Sequence, residues 1–135
     1  MAIPYAAGEF FTITLDGARA VVTILRRPDL PASEGARDAE QVSRHVKELA
    51  RRVKSLLIDL REAPPVSGPK TTETVGGLLG ECERAGVRVA VLLTGDPLQL
   101  LQMRRLVTTH APTRGFAALT QDEASAWLAP PSPRR

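Results

Sequence analysis

Leu56-Leu57-Ile58-Asp59-Leu60 is the stretch that decides the fold. Aliphatic side chains fill it with no apolar–polar alternation, so it reads as a strand buried on both faces. Such a strand belongs inside a parallel sheet, and a parallel sheet needs a crossover helix on each side of it. The flanking sequence supplies both helices. Upstream, Ala39, Val42, Val46, Leu49 and Val53 recur at steps of three and four. That spacing predicts one apolar stripe on a helix of roughly 17 residues, with Ser33 as its N-cap and Arg37, Arg44, Lys47, Glu48 and Arg51 opposite. Downstream, a loop with Pro64, Pro65, Gly68 and Pro69 leads into a second helix, from Lys70 to Ala85. Val75, Leu78, Leu79 and Cys82 share one of its faces. Gly76, Gly77 and Gly80 weaken that helix by roughly 1 kcal/mol each relative to Ala. They imply a close approach, most simply to the sheet.

The alternation of element types continues to the C-terminus. Val87 to Leu93 reads as a strand, and Asp96-Pro97 as an N-cap with Pro at the first helical position. The helix that follows runs to Thr109, with a wide apolar surface from Leu98, Leu101, Met103, Leu106 and Val107. Gly115 to Leu119 is a short last strand. Thr120-Gln121-Asp122-Glu123 then forms a capping box for a final helix carrying Ala124, Trp127 and Leu128. At the other end, Phe11, Ile13 and Leu15 alternate with Thr12 and Thr14, and a second β-rich run covers 18–25. Asp16-Gly17 between them reads as the tight turn of a hairpin. Residues 1–7 read as a lead-in without structure of their own.

The expected order is β-β-α-β-α-β-α-β-α: an α/β fold, a mostly parallel sheet opened by an N-terminal antiparallel hairpin strand. One domain over 1–129 and a disordered tail over 130–135 account for the chain. Composition agrees, with 43% hydrophobic and 24% charged residues. A lone Cys82 excludes a disulfide framework and fits a cytoplasmic protein. The net charge of +3 includes Arg134 and Arg135, and acids are interspersed among the other basic residues, so a nucleic-acid partner is not expected. The N-terminus has no basic, apolar leader, and no window is long enough to span a membrane.

The chain resembles the STAS domains, the fold of the anti-sigma-factor antagonists, and within them a divergent bacterial branch described as STAS or CRAL-TRIO-like. The resemblance rests on the Leu56–Leu60 strand with its Asp-Leu end, and on the close from Phe116 through Thr120-Gln121-Asp122-Glu123 to Trp127-Leu128. In switched members of that family a loop Ser at the start of the next helix is phosphorylated by a partner kinase. The matching stretch here is Val66-Ser67-Gly68, where Val66 stands in place of the motif's Asp. Thr71 and Thr72 are further hydroxyls near the same helix start.

The residues themselves offer little catalytic chemistry. No Walker or dinucleotide glycine pattern occurs. His45 and His110 stand apart, without metal-ligand spacing. Ser67 lacks a nucleophile-elbow context, and Cys82 reads as a core thiol. Asp59 reads as a strand-end residue capping its loop. If the carboxyl ends of the strands gather a ligand, three loops meet there: 26–33, 61–70 and 94–97. The expectation is therefore a non-catalytic regulatory or scaffolding module, not an enzyme and without cofactor or metal, acting through a protein partner. Its contact or phosphorylation loop would carry Ser67, Lys70, Thr71 and Thr72, and the N-terminal hairpin would serve as a homodimer edge. The alternative expectation is a small apolar or lipid-like ligand held in room left by Gly76, Gly77 and Gly80.

Overall fold

The computed structural model describes residues 2–8, 11–25, 32–63 and 69–129, with backbone alone for 32–38, 69 and 70. The elements run β1 (Ile3–Ala7), β2 (Phe11–Asp16), β3 (Arg19–Ile24), α1 (Ala32–Leu49), β4 (Ser55–Asp59), α2 (Pro69–Ala85), β5 (Arg88–Leu92), α3 (Pro97–His110), β6 (Gly115–Ala118) and α4 (Gln121–Leu128). The turn at 26–31, Ser67 and the tail at 130–135 lie outside the described residues.

All six strands form one sheet in the order β1-β2-β3-β4-β5-β6. β1–β2 and β2–β3 pair antiparallel, and every pair from β3 to β6 is parallel. The α/β expectation holds, with one strand more than the sequence suggested. Ile3–Ala7 is not a lead-in; it is an edge strand whose register shifts between Pro4 and Ala6. Tyr5 fastens it to α1. Its hydroxyl donates to Glu48 Oε2 at 3.1 Å, and its ring meets His45 edge-on at 5.8 Å.

The hairpin turn also sits one residue later than Asp16-Gly17. Asp16 pairs with Arg19, leaving Gly17 and Ala18 as the two turn residues. Gly17 has φ +62° and Ala18, like every other described non-Gly residue, does not have positive φ, which is the II′ pattern with Gly first.

Strand order never reverses, so right-handed crossovers carry α1, α2 and α3 to the same face. Val42, Val46 and Leu49 from α1, Leu78, Leu79 and Cys82 from α2, and Met103 and Val107 from α3 bury that face. They pack on Phe11, Ile13, Val22, Leu56, Ile58, Val89 and Val91. The alternate positions Leu57, Ala90, Leu92 and Ala118 point to the opposite face, where Ala124 and Leu128 of α4 cover them. β4 and β5 are therefore buried on both sides, as their unbroken apolar sequences require.

α4 is held by more than its apolar stripe. The Trp127 ring stacks on Phe116 with centroids 5.4 Å apart, and its Nε1 donates to the Arg114 carbonyl at 3.0 Å. Arg88 lies over the same indole at 5.2 Å and donates to the Trp127 carbonyl at 2.9 Å. Two of the three predicted caps form, whereas Ser33 lies inside α1, which already begins at Ala32. Asp96 accepts from the backbone N–H groups of Leu98 and Gln99, and Thr120 accepts from that of Glu123.

α3 is less buried than its apolar content implied. Leu98 is 59% exposed and Leu101 50%, while the buried stripe is Gln99, Met103 and Val107. α3 closes the layer beside the last strand, and among the described residues α2 is the helix that packs closely against its side.

Candidate functional site

Open α/β sheets hold their ligands at the carboxyl edge of the strands. The crevice rule for open α/β sheets depends on a point where strand order reverses and two loops diverge. A sheet that runs β3-β4-β5-β6 in sequence has no such point. What stands at that edge is structural. Asp59 Oδ1 accepts from the backbone N–H of Arg61 at 3.1 Å and from its Nε at 3.0 Å, and Oδ2 accepts from the guanidinium at 2.8 Å. Burial pushes the Asp59 carboxyl up, but the Arg61 hydrogen bonds and charge outweigh it and hold the pKa below its ordinary value. Asp59 thus caps the turn after β4. Asp96 is occupied in capping α3, and Gly95 beside it has φ +99°.

Of the four residues assigned to a contact or phosphorylation loop, Ser67 lies outside the described residues and Lys70 is described by backbone alone. Thr71 is half-buried and Thr72 exposed in the first turns of α2. Cys82 is fully buried, and burial pushes its thiol up to about 12, so it is an inert core residue. Among the described residues no group of three His, Cys, Asp or Glu is placed to hold a metal ion.

The glycines of α2 do not make room for an apolar ligand, which corrects that alternative. A Cβ at Gly76 would lie 2.5 Å from His110 Nε2, so the C-terminal residue of α3 already fills the space. Gly80 faces the His110 carbonyl, and Gly77 looks outward with nothing near it. The close approach is to α3, not to the sheet.

Open space lies instead on the far side of α3. A cleft of about 330 Å³ runs along the free edge of β6. α3 contributes Arg104, Val107 and Thr108; β6 and its flanks contribute Gly115, Phe116, Ala117 and Leu119; α4 contributes Glu123. The floor is apolar and the rim polar. Among the described residues Arg104 makes no ion pair or hydrogen bond, so its guanidinium is available. Glu123 Oε1 accepts from the backbone N–H of Leu119 at 2.9 Å. This is the capping-box carboxylate, reaching one residue further back than the cap itself. Sequence reasoning gave Glu123 only that helix-capping role and passed over Arg104. The available signal was the i, i+4 pair Arg104 and Thr108 on a helix leading directly into the last strand, whose outer side has no neighbour.

One ligature keeps the cleft in shape. Glu83 of α2 accepts from the backbone N–H groups of Thr113 (3.1 Å) and Arg114 (2.8 Å) and from the Thr113 hydroxyl. The Thr113 hydroxyl, helped by the two amides and the Arg114 charge, pulls the Glu83 carboxyl below its usual range. The turn from α3 into β6 is thereby tied to α2.

No known family matches the chain, and no curated protein matches it. Among solved structures, that of Thermus thermophilus RuvC matches at 17% identity with a TM-score of 0.33, over 94% of this chain and 80% of that one. This finding lends nothing to a regulatory or scaffolding role. The expectations of a non-catalytic module working through a protein partner, and of a chain that is not an enzyme, find no support in these comparisons and are set aside. At that TM-score the likeness brings no activity or substrate to this chain.

Proposed function

We propose that this α/β domain binds a small molecule with an anionic group in the cleft along β6. The observation that carries the reading is the pairing of Arg104, unpartnered among the described residues, with an apolar floor of Val107, Phe116 and Leu119 in about 330 Å³. That volume is at the small end of ligand sites, and a few polar groups around an apolar lining is their usual chemistry. Arg104 would hold a carboxylate or phosphate oxygen, and the Thr108 hydroxyl, one turn further along α3, would add a second contact. The aromatic face of Phe116 and the side chain of Leu119 would cover the ligand's apolar body.

The probes are benzoate and phenyl phosphate, with benzyl alcohol as the uncharged control. Isothermal titration should show binding of the two anions, weaker binding of the alcohol, and loss of the difference in Arg104→Ala. Arg84→Ala, on α2 and paired with Glu81, should bind as the parent does. Equal binding of anions and alcohol would overturn the reading.

Ancestry and location belong to the same proposal. We infer a divergent member of the STAS-like domains; the sequences 56–60 and 116–128 support this, as does a sheet that opens antiparallel and continues in sequential order. Among the described residues no helix is long and apolar enough to cross a membrane. A cytoplasmic location is supported by the single buried, unpaired thiol of Cys82.

A further inference from the structure

Among the described residues the sheet ends at β6 with an unpaired strand edge, and such an edge is a template for pairing with another chain. Its backbone groups can be accounted for one by one. Val89 N–H donates to the Arg114 carbonyl and Leu93 N–H to the Ala118 carbonyl, both at 2.9 Å. Residues 114, 116 and 118 therefore turn their backbone toward β5, and 115, 117 and 119 turn theirs outward. Of the three outward N–H groups, two are already engaged. Gly115 donates to the Ala111 carbonyl at 2.9 Å, and Leu119 donates to Glu123 Oε1 at 2.9 Å. Among the described residues that leaves Ala117 as the one outward donor without an acceptor, on a strand of four residues.

We propose that β6 is a guarded edge, closed by the Glu123 carboxylate against addition of a second copy of this chain. The occupant follows from the strand itself. Gly115-Phe116-Ala117-Ala118-Leu119 is uncharged and apolar, and an antiparallel partner centred on Ala117 would pair it with itself about a two-fold axis. Leu119, 41% exposed, would be covered in that pairing. Glu123 prevents it twice over: it removes the Leu119 donor, and it places a carboxylate where the incoming strand would bring carbonyl oxygens. The guard is held in place by α4, whose first turn is fixed by the Glu123 N–H donating to Thr120 Oγ1 at 3.1 Å. This inference concerns the backbone edge and does not rest on the ligand reading of the cleft.

The experiment is sedimentation velocity over a wide concentration range, with amide hydrogen exchange at Leu119. Glu123→Ala and Glu123→Met both lose the acceptor, and Met keeps the length and helix propensity of Glu. The Thr120 cap survives both, because it binds the backbone of residue 123. Each variant should sediment increasingly as a dimer as concentration rises, with Leu119 exchange about tenfold faster or more, the weight of a hydrogen bond to a charged acceptor. Glu123→Gln retains an accepting oxygen but not the carboxylate, so Leu119 exchange should stay close to the parent's and any dimer should be weaker than in Glu123→Ala or Glu123→Met. Adding Ala117→Pro to either open variant removes the central outward donor, on which the two-fold pairing is centred, and should restore the monomer. A parent that already pairs through β6 would overturn the proposal. So would open variants that exchange fast at Leu119 yet stay monomeric, or dimers that Ala117→Pro leaves intact.

Discussion

Gly76 of α2 lies directly against the imidazole of His110, the last residue of α3: a Cβ added to Gly76 would come within 2.5 Å of His110 Nε2. The neighbouring Gly77 has nothing within 4 Å. Two adjacent glycines in one helix therefore have different reasons to exist. Gly76 lets two helices meet, and Gly77 only costs helix propensity.

Gly77→Ala should stabilise the protein by roughly 0.5–1 kcal/mol, the usual gain on replacing Gly inside a helix. Gly76→Ala should fall short of that gain or reverse it, because the ring must move. Urea melts of the two variants check the ordering. Adding His110→Ala to Gly76→Ala should recover part of the difference.

Trp127 fixes α4 to the back of the sheet through its stack on Phe116 and its bond to the Arg114 carbonyl. Trp127→Phe should cost about 1 kcal/mol for the lost hydrogen bond and part of the stack. Trp127→Ala should cost about 3 kcal/mol, toward the low end for a large aromatic because the ring is only half-buried. Shifts of the urea midpoint give both values. The parent's single tryptophan also makes its fluorescence a direct report of α4 undocking.

The pH dependence of stability follows from Asp59 and Glu83, both depressed in the folded state. Their unfolded values are about 3.9 and about 4.3. A depressed folded pKa means that the unfolded chain takes up protons first, so the contribution is complete above those values and is lost as pH falls through the lower folded ones. Stability should drop from about pH 4.5 downward on this account. Glu83→Gln should flatten the drop, and urea melts across that range measure it. An identical slope in the variant would show that Glu83 does not contribute.

Cys82 should be silent to thiol reagents in the native protein. Its side chain is fully buried and its pKa is pushed up to about 12. Labelling with a disulfide reagent at neutral pH should proceed only at the rate of unfolding, and become immediate in concentrated urea.

The strands that cross the middle of the sheet were legible because burial on both faces leaves an unmistakable sequence, as in Leu56–Ile58 and Val89–Leu93. β1 was not, because its two strong β-formers, Ile3 and Tyr5, are broken up by Pro4 and followed by Ala6 and Ala7, which carry little strand signal. An edge strand tolerates Pro, and its pairing with β2 and the Tyr5–Glu48 contact supply what propensity lacks. The turn was misplaced by one residue because Asp-Gly and Gly-X pairs both make tight hairpins, and only the register of β2 on β3 decides between them. The glycine cluster correctly announced a close approach, but the sequence does not say which neighbour comes near. The cleft was the least legible feature. Arg104, Phe116 and Glu123 belong to three elements, and only the position of β6 at the end of the sheet brings them to one edge.

The account stands on the cleft beside β6, and an amide NMR titration with benzoate tests it most directly. The expected result is saturable shifts confined to Thr108, Phe116, Ala117, Leu119 and their neighbours, abolished by Arg104→Ala while the rest of the spectrum is unchanged. Shifts that centre on α1 or on the carboxyl edge near Asp59, or that persist without Arg104, would contradict it.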